Sequence, residues 1–267
     1  MAVDVVPALN NAIKAKYQAG LMGNTRLKRI MYRIRDGTAT LADMDGYAEL
    51  LGESLSDAFS AVLTPEALPD GILYYNIANR TVKPFMKQNF DNINQVAGAV
   101  QAVMDEKKGI GLKAVNPDFP EARVKGLIDM LTGAKDFTQW LGEPVVNTTM
   151  SFADDFVKKN AEFRYSSGMD VRVIRETGFH ETRRRSNKSE YTIPCEWCAQ
   201  LAGSYDYASV RSGSDVFKRH ESCRCRVIFQ NGNRMQDVWS KRIWSADADT
   251  LKRRESVGTQ LQFGKRS

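Results

Sequence analysis

Cys195-Glu196-Trp197-Cys198 and His220-Glu221-Ser222-Cys223-Arg224-Cys225 hold all four cysteines of the chain and one of its two histidines. No Cys or His precedes His180, so this concentration is a signal rather than scatter. A CxxC pair at a tight turn brings two thiolates onto one ion, and Cys223 and Cys225, two apart in extended chain, share one face of a strand. Five candidate donors, Cys195, Cys198, His220, Cys223 and Cys225, then compete for four tetrahedral positions. Either four sulfurs close the site with His220 behind them, or His220 replaces one of Cys223 and Cys225. Spacing does not choose between these, and Cys195, Cys198 and Cys225 stand as the safest three.

The flanks of this stretch are short strands. Asp170 to Thr177 alternates and is rich in β-branched residues, Glu190 to Ile193 leads into the first cysteine pair, and Cys225 to Phe229 follows the second. Asn231-Gly232-Asn233 reads as a turn, and Arg183 to Lys188 as an exposed loop. Three short strands bury too little surface to hold alone, whereas a structural zinc contributes roughly 10–16 kcal/mol of folding free energy in an isolated finger. Reducing cytosol disfavours disulfides, so the cluster reads as a closed structural zinc site with no open position for water. The competing reading has four reduced cysteines packed as small hydrophobes beside Trp197 and Phe217.

Upstream, everything is helical. Pro7 to Asp36 reads as one helix with a basic second half, closed by Gly37. Leu41, Met44, Tyr47, Leu51, Leu55, Phe59 and Val62 recur at three- and four-residue steps and predict the clearest helix of the chain. Thr64-Pro65-Glu66 reads as a capped start and Leu68 to Gly71 as a stop and restart. Ile72 to about Lys107 is helical, with Pro84 expected to kink or break it and Val96 to Val100 offering close backbone approach. Asn116 to Pro120 is a turn, Glu121 to Leu131 a shorter helix, and a further helix starts near Thr148 or Thr149, capped by either hydroxyl, and runs through Phe163. The expected fold is α+β: an α-helical region over 1–165, and over 166–267 a small mixed α/β domain with the cysteine cluster and a basic tail.

The 267 residues are 42% hydrophobic and 26% charged, which suits a globular chain with a sizeable core. Residues 164–267 carry 20 basic against 12 acidic residues, and the remainder 18 against 20, so the net charge of +6 belongs to the carboxy-terminal third. Such a surface suits nucleic acid or an acidic protein, although a modest excess is commonly just solvated. No stretch approaches the ~20 apolar residues of a membrane span, and the amino terminus lacks a secretory pattern, so synthesis in the cytoplasm is expected.

Enzyme signatures are missing: the sequence has no GxxxxGK[ST], GxGxxG, HExxH or GxSxG. His180, Glu181 and His220 are the acid/base candidates of an alternative reading as an enzyme acting on nucleic acid or nucleotide. A zinc-stabilised DNA-binding module is a further alternative. The favoured expectation is a protein without catalytic residues.

Pro194 to Cys198, then Leu201-Ala202-Gly203-Ser204-Tyr205-Asp206-Tyr207, then Asp215 to Cys225, resembles the carboxy-terminal motif of the tailed-phage minor head proteins, the Mu-F-like head morphogenesis family. Gln236 to Lys241 is similar to the segment that follows it in versions from phages of Gram-positive bacteria. The resemblance covers Val171 to Trp244, and the amino-terminal helices carry no matching motif. It implies a structural minor capsid protein of the virion head, made in the host cytoplasm and acting in head morphogenesis or DNA delivery. Its implied partners are the portal or the major capsid protein, and packaged DNA through the basic carboxy-terminal third. The extra toxin or transferase domain of some relatives is not expected, since little sequence follows the motif.

Overall fold

The computed structural model describes residues 4–177, 180–182, 190–192, 196–211, 213–220 and 223–231. It is mainly helical with a small antiparallel sheet, an α+β fold as the sequence predicts. The chain divides into two compact units, Met1–Phe156 with Arg219–Cys223, and Val157–Lys218 with Arg224–Ser267.

The first unit opens with α1 (Val6–Gly23) and α2 (Thr25–Arg35). These were expected as one helix. Asn24 separates them, because its backbone is extended (φ −82°, ψ 110°) and its side chain accepts from the Leu27 N–H at 2.9 Å. An asparagine oxygen that satisfies an orphan amide makes a new helix start cheaper than continuation. Gly37, at φ +69°, ends α2 in the left-handed conformation that suits glycine. α3 (Leu41–Val62) matches its predicted span. The Asp43 carboxylate reaches back to the Thr40 N–H at 3.0 Å and to its hydroxyl at 3.2 Å.

Two single 3-10 turns, Pro65–Ala67 and Pro69–Gly71, lead into α4 (Tyr75–Lys107). α4 runs through Pro84 as one helix, so the break that was one of the two expected outcomes there does not occur. Proline there removes the N–H that would reach the Arg80 carbonyl one turn back. Asn10 of α1 donates its side-chain amide to that carbonyl at 3.2 Å, so the acceptor keeps a partner. α5 (Glu121–Gly133) follows, then a 3-10 turn at Phe137–Trp140 and α6 (Glu143–Ser166). α6 starts before the predicted hydroxyl caps. Thr148 and Thr149 instead donate to the carbonyls of Pro144 at 2.7 Å and Val145 at 2.9 Å, which is how a threonine hydroxyl is satisfied inside a helix.

The core of this unit is Ile13, Leu51, Leu55, Phe59, Met86, Ile93 and Phe152, all essentially sealed. Phe90 meets Phe119 and Phe152 edge-on, with ring centroids 5.3 and 5.5 Å apart. The close helix approach falls at Gly52, where a Cβ would lie 3.0 Å from the Val146 Cα. At Gly98, where the sequence suggested it, a Cβ would meet nothing within 4 Å.

The second unit holds the end of α6 and a sheet of order β4-β1-β5, built from β1 (Val171–Glu176), β4 (Gly203–Asp206) and β5 (Arg226–Asn231), with both pairings antiparallel. β2 (His180–Thr182) and β3 (Glu190–Thr192) form a separate antiparallel pair. Short helices α7 (Glu196–Gln200) and α8 (Tyr207–Val210) flank β4. Along β1 burial alternates, with Val171, Val173 and Arg175 inward, opposite Asn231, Phe229 and Val227 of β5. The loop expected at Arg183 to Lys188, the turn at Gly232 and Asn233, and the basic tail lie outside the described residues.

Candidate metal centre

Cys198 sits on α7, the single helical turn that begins at Glu196 and carries the second cysteine of the CxxC pair into the interior. Its residue is 3% exposed. The Cys223 N–H donates to the His220 carbonyl at 3.2 Å, which ties these two residues to each other. The ligand atoms of Cys198, His220 and Cys223 all lie within 4.8 Å of one another. Two sulfurs and an imidazole nitrogen at that mutual distance can hold a metal ion.

Cys225 is buried, yet it stands outside this group. Cys223 and Cys225 precede β5, which starts at Arg226, and both are buried with the half-buried Arg224 between them. Cys195 lies outside the described residues. His180 is the first residue of β2, in register with Thr192, and Glu181 is in register with Tyr191.

Two buried arginines, neither singled out by the sequence, hold the approaches to the cluster. Arg175 projects from the inward face of β1 and donates from Nη1 to the carbonyls of Val216 at 2.6 Å and Lys218 at 2.8 Å. Its guanidinium also lies 5.2 Å from the ring centre of Trp197, the residue before Cys198. One side chain therefore fixes the chain just before His220 and stacks on the neighbour of Cys198.

Arg219 is the second. Its side chain is 6% exposed, and it meets Asp154 of α6 through a fork, Nη2 to Oδ1 at 2.9 Å and Nε to the other oxygen. Nη2 also approaches Asp45 of α3 at 3.3 Å, and Nη1 donates to the Cys223 carbonyl at 3.3 Å. Burial by itself works against the guanidinium charge, but Asp154 and then Asp45 more than offset it, so the affinity of Arg219 for its proton is raised. The signal that could have found Arg175 is period: it falls on the apolar side of an alternating strand, where an unpaired charge is not tolerated.

Fold and site together define a mainly helical α+β protein with a buried Cys/His cluster able to hold a metal ion. No protein-family model, no curated protein and no solved structure matches the chain. Among the described residues no helix is long and apolar enough to cross a membrane.

Proposed function

We propose that this chain is a structural minor head protein of a tailed bacteriophage, and that a zinc ion tied by Cys198, His220 and Cys223 stabilises the fold around its motif. The observation that carries the reading is the convergence of these three residues: the CxxC and HxxC arms of the motif, far apart in sequence, present their donors within 4.8 Å of one another. A thiolate-rich, nitrogen-containing donor set favours zinc among the common divalent ions, and the remaining half of the CxxC pair, Cys195, is the candidate for the fourth position. Cys198 and Cys223 are 3% and 1% exposed, which suits a closed structural site better than a hydrolytic one. The zinc, once bound, supplies cross-linking free energy and no reaction step.

Mass spectrometry of purified virions and procapsids of the encoding phage tests the assignment; the chain is expected in both, in few copies relative to the major capsid protein. Its complete absence from both particles would overturn the reading. Elemental analysis of protein purified without chelator is expected to give about one zinc per chain.

A further inference from the structure

We propose that the exposed face of α2 binds the phosphate backbone of a nucleic acid, as a site separate from the cysteine cluster. From Val5 to Arg35 the chain has seven basic residues and no acidic one, whereas the other residues of 1–163 hold 11 basic against 20 acidic. The helix sorts these charges. Ile30 is buried, Leu27 and Ile34 are half-buried, and Arg26 and Arg33 turn back to Glu49 and Asp43 of α3. Lys28, Arg29 and Arg35 are left on the outside, and none meets a carboxylate among the described residues.

At 100° per residue Lys28, Tyr32 and Arg35 fall in one stripe, with Lys28 and Arg35 about 10 Å apart along the axis. Tyr32 is 57% exposed and the Arg35 guanidinium lies 5.6 Å from its ring centre. Lys107 of α4 donates to the Gly37 carbonyl at 2.6 Å, which places a further ammonium beside the carboxy-terminal end of α2.

Charge complementarity selects an anionic partner, and the apolar residues decide which one. A helix that lies on a membrane buries an apolar face in lipid. Here that face is already spent on the fold, and only Met31 and Tyr32 remain outside. Three outward cations beside an exposed aromatic ring are what a phosphate chain with stackable bases requires.

The test is fluorescence anisotropy with labelled 30-base single-stranded and 30-base-pair DNA, titrated with the full chain over a salt series. The triple variant K28E/R29E/R35E is compared with wild type, and the charge-neutral K28Q/R29Q/R35Q serves if the first misfolds by circular dichroism. Both variants keep the basic carboxy-terminal residues, so the difference reads α2 alone. The expected result is at least a tenfold loss of affinity, with the slope of log K against log salt reduced by about 2.7, at roughly 0.9 for each phosphate no longer neutralised. The control K113E/K135E, reversed at exposed sites elsewhere, is expected within twofold of wild type. An unchanged affinity and slope in the triple variants would overturn the proposal, as would an equal loss in the control. It also fails if wild type sediments with phosphatidylserine vesicles through α2 while its DNA binding ignores the substitutions. None of these readouts depends on zinc, so failure here leaves the metal reading standing.

Discussion

Arg219 sits where removing it does more than delete a contact. Asp45 and Asp154 are 5% and 4% exposed, and with Arg219→Met both buried carboxylates lose the guanidinium that bridges them. Breaking a buried ion pair from one side costs about 3–5 kcal/mol, whereas replacing all members with neutral groups of similar volume is close to neutral. Urea unfolding is therefore expected to show R219M destabilised by about that amount, and the triple variant R219M/D45N/D154N recovering much of it. If the single and triple variants are equally destabilised, the charges are not the reason. The cluster gives a second residue-scale expectation. Cys223→Ser removes a donor from the converging group, whereas Cys225→Ser removes a buried thiol outside it. Elemental analysis should find zinc lost or sharply reduced in C198S and C223S and retained in C225S. Retention in C223S with loss in C225S would reverse the ligand assignment.

At the scale of elements, α4 shows how a tertiary contact overrides a local rule. Pro84 deprives the Arg80 carbonyl of its helical donor, and Asn10 supplies another from α1. Asn10→Ala should then cost about 0.5–1.5 kcal/mol in wild type, the usual net worth of one hydrogen bond, and much less in the P84A background, where the helix makes its own bond. A double-mutant cycle measures the difference, and strict additivity would mean that Asn10 does not serve the proline. This case also marks the limit of sequence reading. The span of α3 was legible from its apolar period and β1 from alternation, whereas the Thr40 to Asp43 cap came only with the structure. The break at Asn24 was missed although Gly23, Asn24 and Thr25 are weak helix formers, because the apolar spacing of Leu9, Ile13, Tyr17 and Leu21 carried the reading past them. The early start of α6 was missed because Thr148 and Thr149 look like caps until their hydroxyls are seen bonded to the preceding turn. In the site, the donor types were legible from spacing. Which of them converge was not, because spacing leaves five donors for four positions and does not rank them.

For the molecule as a whole, a buried tyrosine in each unit contributes stability that is lost on the alkaline side. Tyr17 is 2% exposed and donates to the Asn89 side-chain oxygen at 2.5 Å. Burial, and then the neighbouring Tyr47, raises its pKa well above the usual value. Tyr207 is 3% exposed, and burial followed by the charge of Glu162 pushes it up to about 12. In both cases the folded protein holds the phenol proton more tightly than the unfolded chain does. The stability this contributes is complete below the unfolded value near 10, and is lost as pH rises through it toward the folded values. Unfolding free energy should thus be insensitive to these groups between pH 7 and 9 and fall from about pH 10. Tyr17→Phe cannot ionise but leaves Asn89 without its donor, so it should be less stable than wild type by about 1–3 kcal/mol at pH 8. That deficit should shrink as pH climbs past 10, because only wild type then loses stability from this position. Urea titrations followed by far-ultraviolet circular dichroism from pH 7 to 11.5 decide the matter: a wild-type to Y17F difference that stays constant across the series would show that the Tyr17 phenol does not govern the alkaline limb.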